Sequence, residues 1–140
     1  MSRIINTESA GKQRNKLIKA IVISIRELMK QGAIDDTTKD LAAFISRGLL
    51  AIHATIEQSV GPWEKRGYWV KADKFRLEWA WTKDVGEDMV KAVLDEDWAG
   101  VAAFAAVVGE KFSNIEVSER HRMGKPWVGA YQLLMGENRQ

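Results

Sequence analysis

The residue pattern predicts an all-α protein, a compact bundle of about five helices in a single domain. Three observations carry that expectation. Apolar residues recur every three to four positions through most of the 140 residues, and no segment alternates apolar with polar at a period of two. Ser, Thr and Asp stand where the helical pattern would start, and glycines where it would stop. Only two prolines interrupt the chain, Pro62 and Pro126, each closely preceded by a glycine (Gly61 and Gly124).

The first helix is expected from about Glu8 to Gln31. Leu17, Ile18, Ile21, Val22, Ile25, Leu28 and Met29 form one broad apolar stripe, and Lys16, Lys19, Arg26, Glu27 and Lys30 lie mostly opposite. Gly32 is placed to end it. The second helix is introduced by Asp35-Asp36-Thr37-Thr38-Lys39-Asp40, in which Thr37 and Asp40 have capping-box spacing. Leu41, Ile45, Leu49, Ile52 and Ile56 make its inner stripe. Phe44 and Leu50 lie on other faces and charges are few, so this helix is covered on more than one side.

Pro62 suits the first turn of a new helix, where its missing N–H costs nothing. A third segment therefore runs from Trp63 to Thr82, although Gly67 costs about 1 kcal/mol in a helix interior and favours a start after it. At 100° per residue, Trp63, Val70, Leu77 and Trp81 fall on one stripe and Tyr68, Ala72, Phe75 and Trp79 on nearly the opposite one. Two apolar faces call for two partners. A short fourth helix, Val85 to Leu94, follows an Asp84 cap, and Asp95-Glu96-Asp97 opens a fifth from Trp98 to Phe112. The fifth is apolar almost all round and rich in alanine, which predicts the central element of the bundle. Residues 113–125 read as a mobile polar loop, Trp127 to Met135 as a last short helix, and residues 136–140 as a frayed tail.

Composition excludes several functions. With 46% hydrophobic and 29% charged residues, the chain is no disordered polymer. It has no cysteine, which removes thiol nucleophiles, disulfides, iron–sulfur clusters and cysteine-bound zinc. The two histidines, His53 and His121, lack the preceding glutamate that a bundle di-iron site requires. His53 and Glu57 can share a helix face, which is half of a weak site. Residues 84–97 hold six carboxylates against Lys91 alone, and are read as helix caps and dipole partners rather than cation ligands. No nucleophile elbow, phosphate loop or dinucleotide turn occurs. No catalytic residue, metal or cofactor is therefore expected, and the reading leans away from an enzyme. The longest uncharged stretch, Trp98 to Gly109, is 12 residues, short of the roughly 20 that cross a membrane. No leader pattern opens the chain, which points to the cytoplasm.

Interaction is what remains. Four of the six tryptophans lie between Trp63 and Trp81, and Trp and Tyr are enriched at interfaces. The candidate contact residues are Trp63, Tyr68, Trp69, Phe75, Trp79 and Trp81, and a homodimer is the expected assembly. Charge supplies an alternative. Residues 1–31 carry a net +5 and residues 61–83 a net +3, so Arg14, Lys16, Lys19, Lys65, Arg66, Lys71, Lys74 and Arg76 can pair phosphates while the aromatics stack bases, as in a nucleic-acid-associated protein. A second alternative is a small-ligand binder with a Trp-lined pocket between helices.

Overall fold

The computed structural model describes residues 9–139. Among them the protein is 75% helix with no strand, in five helices. They are α1 (Ala10–Leu28), α2 (Asp36–Lys65), α3 (Trp69–Leu94), α4 (Trp98–Lys111) and α5 (Ala130–Asn138). The expected first residue of α1, Glu8, lies outside the described residues.

Helix α1 starts where Ser9 accepts a hydrogen bond from the Lys12 N–H at 3.1 Å. It ends at Leu28, before Gly32, and this leaves Met29 exposed instead of in the stripe. Asp35, not Thr37, caps α2, accepting from the Thr38 N–H at 2.9 Å. The inner stripe of α2 lies where spacing predicts: Leu41, Ile45, Leu49, Ile52 and Ile56 are all fully buried. Helix α2 is the central element, in contact with all four others.

That position corrects the expectation for α4. Only Val101, Ala105 and Val108 of α4 are buried, and Ala99, Ala102, Ala103, Ala106 and Val107 face outward. An alanine-rich helix buries little area per residue. The centre falls instead to the 30-residue helix with large aliphatic side chains on several faces.

Two expected breaks are also absent. Helix α2 passes through Pro62 and ends at Lys65. The residue before a proline is driven from helical geometry partly by its own Cβ, and here that residue is Gly61, which has none. Nor does Asp84 start a new helix, for α3 is continuous across it. Gly86 holds the two long helices together at that point. A Cβ there would meet Leu50 Cδ2 at 2.9 Å and Leu49 Cβ at 3.2 Å, so a larger residue would push Leu50 aside or move α3 away from α2.

Residues 113–125 form no helix or strand, yet they rest on the body of the protein. Arg26 donates to the Val117 carbonyl at 2.8 Å. Val117 and Met123 pack against Ile23, Leu41 and the buried Trp127. Trp127 precedes the last helix instead of starting it. The Asp40 carboxylate, reaching across from α2, accepts from the N–H groups of Gly129 (3.2 Å) and Tyr131 (3.0 Å), and so places the α5 N-terminus. Helix α5 extends to Asn138, where Arg47 holds Glu137 through two hydrogen bonds of 2.8 and 3.0 Å; of the tail expected to fray, Gln140 lies outside the described residues.

Candidate interaction surface

The turn between α2 and α3 sets how the aromatic residues are displayed. Tyr68 N–H bonds the Trp63 carbonyl and Gly67 N–H the Glu64 carbonyl, both at 2.9 Å. This is a Schellman ending with Gly67 at φ +83°, a conformation glycine adopts without strain. It reverses the chain in three residues, so α3 starts at Trp69 and runs back along α2.

One side of α3 is tied into the fold. Ala72 is fully buried and Phe75 and Trp79 are half-buried. Phe75 meets Trp63 edge-on at 5.2 Å and Trp79 at 6.3 Å. Arg14 of α1 lies over both, 5.0 Å from the Phe75 ring and 5.8 Å from that of Trp79. The same guanidinium donates to Thr55 Oγ1 (3.1 Å) and Ser59 Oγ (3.2 Å) on α2. Burial lowers the Arg14 pKa, and nearby Glu78 opposes that shift. Arg76 is held as firmly: it bonds both oxygens of Glu57 at 3.1 Å and those of Glu64 at 2.6 and 3.1 Å. Those bonds hold both glutamates below the usual carboxylate range and raise the Arg76 pKa.

The other side of α3 is bare. Trp69, Val70 and Leu77 keep 59%, 69% and 78% of their surface exposed, and Tyr68 in the turn is exposed as well. Trp81 sits at the edge of this face. Its ring meets Phe112 edge-on at 5.2 Å, and Lys111 Nζ lies 5.6 Å from it. A groove of about 270 Å³ opens beside it, walled by Ile18, Trp79, Trp81, Phe112 and Ile115. A second, of about 280 Å³, lies beside Trp98 between α4 and the α1–α2 turn.

The six aromatic candidates therefore divide. Tyr68 and Trp69 are on the surface, while Trp63, Phe75, Trp79 and Trp81 are half-buried against the body of the protein. Selecting candidates by aromaticity passed over Val70 and Leu77, the most exposed apolar residues of α3, although both lie on the outer stripe that helical spacing defines. The basic candidates divide too. Arg14 and Arg76 are committed to internal partners, and Lys71 lies 4.2 Å over Trp63. Lys16 and Lys19 are exposed on α1. Lys65, Arg66 and Lys74 are exposed and form no ion pair among the described residues, and the same holds for Asp84, Glu87 and Asp88 further along α3. Asp97 does cap α4, accepting from the Gly100 N–H at 3.0 Å.

Among the described residues no group of three His, Asp or Glu is placed to hold a metal, and no helix is long and apolar enough to cross a membrane. Among the described residues His53 Nδ1 and Trp79 Nε1 are buried without a hydrogen-bond partner. No family model, curated protein or solved structure matches the chain.

Proposed function

We propose that this protein is a non-enzymatic interaction and assembly module that associates with a second copy of itself through the outer face of α3. The observation that carries the reading is the run of bare apolar side chains Trp69, Val70 and Leu77 on a helix whose opposite side is already fully engaged. Large apolar side chains grouped on one exposed face commonly mark a contact site. A two-fold dimer covers it at once, because a symmetric contact uses the same patch twice. Helix α3 has 26 residues and is about 39 Å long. Two such helices packed side by side bury on the order of 1,000 Å², the low end for a specific contact. The expected dissociation constant is thus micromolar. The nucleic-acid alternative draws less support, since Arg14 and Arg76 are held by internal partners. The expected compartment is the cytoplasm, in keeping with a chain that has no cysteine to oxidise.

Light scattering coupled to size exclusion, from a few to about 200 micromolar, tests the reading. The mass should rise from one chain to two with concentration. Leu77→Asp should hold the protein at one chain while leaving its circular dichroism and urea midpoint unchanged. A wild type that remains a single chain throughout overturns the proposal.

A further inference from the structure

We infer that the end of the α2–α3 hairpin is a docking tip for the surface of an anionic lipid bilayer, a use separate from self-association. The observation is an unbroken run of exposed residues, 65–71, across the turn at Gly67. Three of them are large: Tyr68 keeps 53% of its surface exposed, Trp69 59% and Val70 69%. Three are cations, Lys65, Arg66 and Lys71, and none is acidic. The run lies clear of α4. Phe112, at the end of α4, meets Trp81, and Trp81 is about 18 Å along α3 from Trp69.

This pairing of side chains suits the boundary between lipid and water. Trp and Tyr settle at headgroup level, with the ring in apolar surroundings and the N–H or O–H in water, and Val70 adds an apolar contact beside them. Lysine and arginine stems lie along such a surface while their charged ends reach the headgroups. Each cation beside an anionic leaflet strengthens binding about fivefold. Two carboxylates stand near the tip, and the fold engages both: Arg76 bonds Glu64 at 2.6 Å and lies 3.8 Å from Asp73. Lys65, Arg66 and Lys74, by contrast, form no ion pair among the described residues, and Lys71 rests over Trp63 at 4.2 Å.

The other end of α3 has the opposite sign. Residues 83–97 hold six carboxylates against Lys83 and Lys91. An anionic leaflet attracts the tip and repels that end, so α3 meets the surface at Trp69 first. A nucleic acid also draws cations, but binding it by stacking takes a basic groove that tracks the strand past successive rings. The tip is instead the end of a two-helix hairpin, and the most exposed of its large residues, Val70, has no ring to stack. Trp69 and Val70 belong to the face proposed for self-association as well. The test is therefore made at sub-micromolar protein, where a micromolar dimer is dissociated and the tip is free whether or not that reading holds.

Co-sedimentation with vesicles of phosphatidylcholine, alone and with about 30% phosphatidylserine, tests the inference. Wild type should bind the anionic vesicles, lose most of that binding between about 0.1 and 0.5 M salt, and leave phosphatidylcholine alone unbound. Lys65→Gln with Arg66→Gln should weaken binding by roughly tenfold or more. Trp69→Ser should weaken it several-fold, with circular dichroism unchanged in both variants because the three side chains are exposed. Arg120→Gln with Arg122→Gln, an equal loss of charge at exposed positions in the loop before α5, should leave binding within twofold. Absence of binding at low salt overturns the proposal, and so does equal binding to phosphatidylcholine alone. A loop variant as weak as the tip variant overturns it too, since net charge and not the tip would then be the source of attraction. A single-stranded oligonucleotide bound where anionic vesicles are not overturns it in favour of nucleic acid.

Discussion

In the first three turns of α3 both faces carry apolar side chains, and these have opposite fates. Inward lie Ala72, Phe75 and Trp79, covered by Arg14, Thr55, Ser59 and Trp63 from the two neighbouring helices. Outward lie Val70, Leu77 and Ala80, which no other described residue covers. Hydrophobicity alone does not assign a residue to a core. What separates the faces is the turn at Gly67. By folding α3 back along α2 it decides which stripe meets the body, and the remaining stripe keeps its apolar surface exposed.

The largest expected effect tests that division. Trp79→Ala removes a ring held by Phe75 and Arg14, and should cost about 3 kcal/mol in urea unfolding. Leu77→Ala should cost less than about 0.5 kcal/mol, as surface changes do. Equal costs would break the comparison. Trp79→Phe sharpens it, because Trp79 Nε1 is buried with no hydrogen-bond partner among the described residues. This change gives up no hydrogen bond, so its cost should come only from the lost ring volume and stay well below that of Trp79→Ala.

The helical class, the inner stripe of α2 and the two-faced character of α3 are legible in the sequence because each rests on a period repeated over four or more turns. What is not legible depends on contacts between distant segments. Asp40 has capping-box spacing with Thr37 and reads as a local cap, yet its carboxylate serves Gly129 and Tyr131, about 90 residues away. Asp84 has the chemistry of a helix start but lies mid-helix, in a stretch where buried Thr82, Gly86 and Met89 keep α3 on the body of the protein. Alanines at helical spacing mark an apolar helix without saying whether it is central, and α4 proves peripheral. The candidate surface was half legible. Spacing finds its stripe, but selection by aromatic type favours Trp79 and Phe75, which the core uses, over Leu77, which it does not.

A change at the far end of the molecule serves as the control. Asp40→Ala removes the acceptor for the first N–H groups of α5, and should cost about 1–2 kcal/mol, the usual range for losing a cap. Amide exchange should quicken in α5 while the solution mass stays that of wild type, since the outer face of α3 is untouched. A fall in mass would move the contact surface toward α5.

The inner face also carries a pH signature. Arg76 holds Glu57 and Glu64 below the ordinary glutamate pKa of about 4.3. A carboxylate with a lowered folded pKa contributes stability that is fully present above the unfolded value and is lost as pH falls through the folded one. Wild type should therefore hold its urea midpoint from pH 7 to about 5 and lose it progressively below about 4.5. Arg76→Gln should be less stable at pH 7, and its deficit should shrink toward pH 3. A deficit independent of pH would mean that packing, and not this ion-pair network, ties the inner face down.

The last effect has the opposite sign. Helix α3 ends as α2 does, with the Asp97 N–H on the Ala92 carbonyl (2.8 Å) and the Glu96 N–H on that of Val93 (3.1 Å). Here the left-handed position is occupied by Glu96 at φ 55° instead of by glycine. A side chain in that region crowds its own carbonyl, a strain glycine escapes, while glycine's greater freedom in the unfolded chain takes back part of the gain. Glu96→Gly should thus stabilise the protein by about 0.5–1 kcal/mol, read as a higher urea midpoint at unchanged slope. The change also deletes one of the carboxylates at the acidic end of α3. Glu96 lies in the turn after α3, far from Trp69, Val70 and Leu77, so the dimer constant should move by less than twofold. A gain in stability with unchanged association separates the two roles of this helix, with its turns setting the fold and its outer stripe the assembly. A marked weakening of the dimer would extend the contact surface past the end of α3.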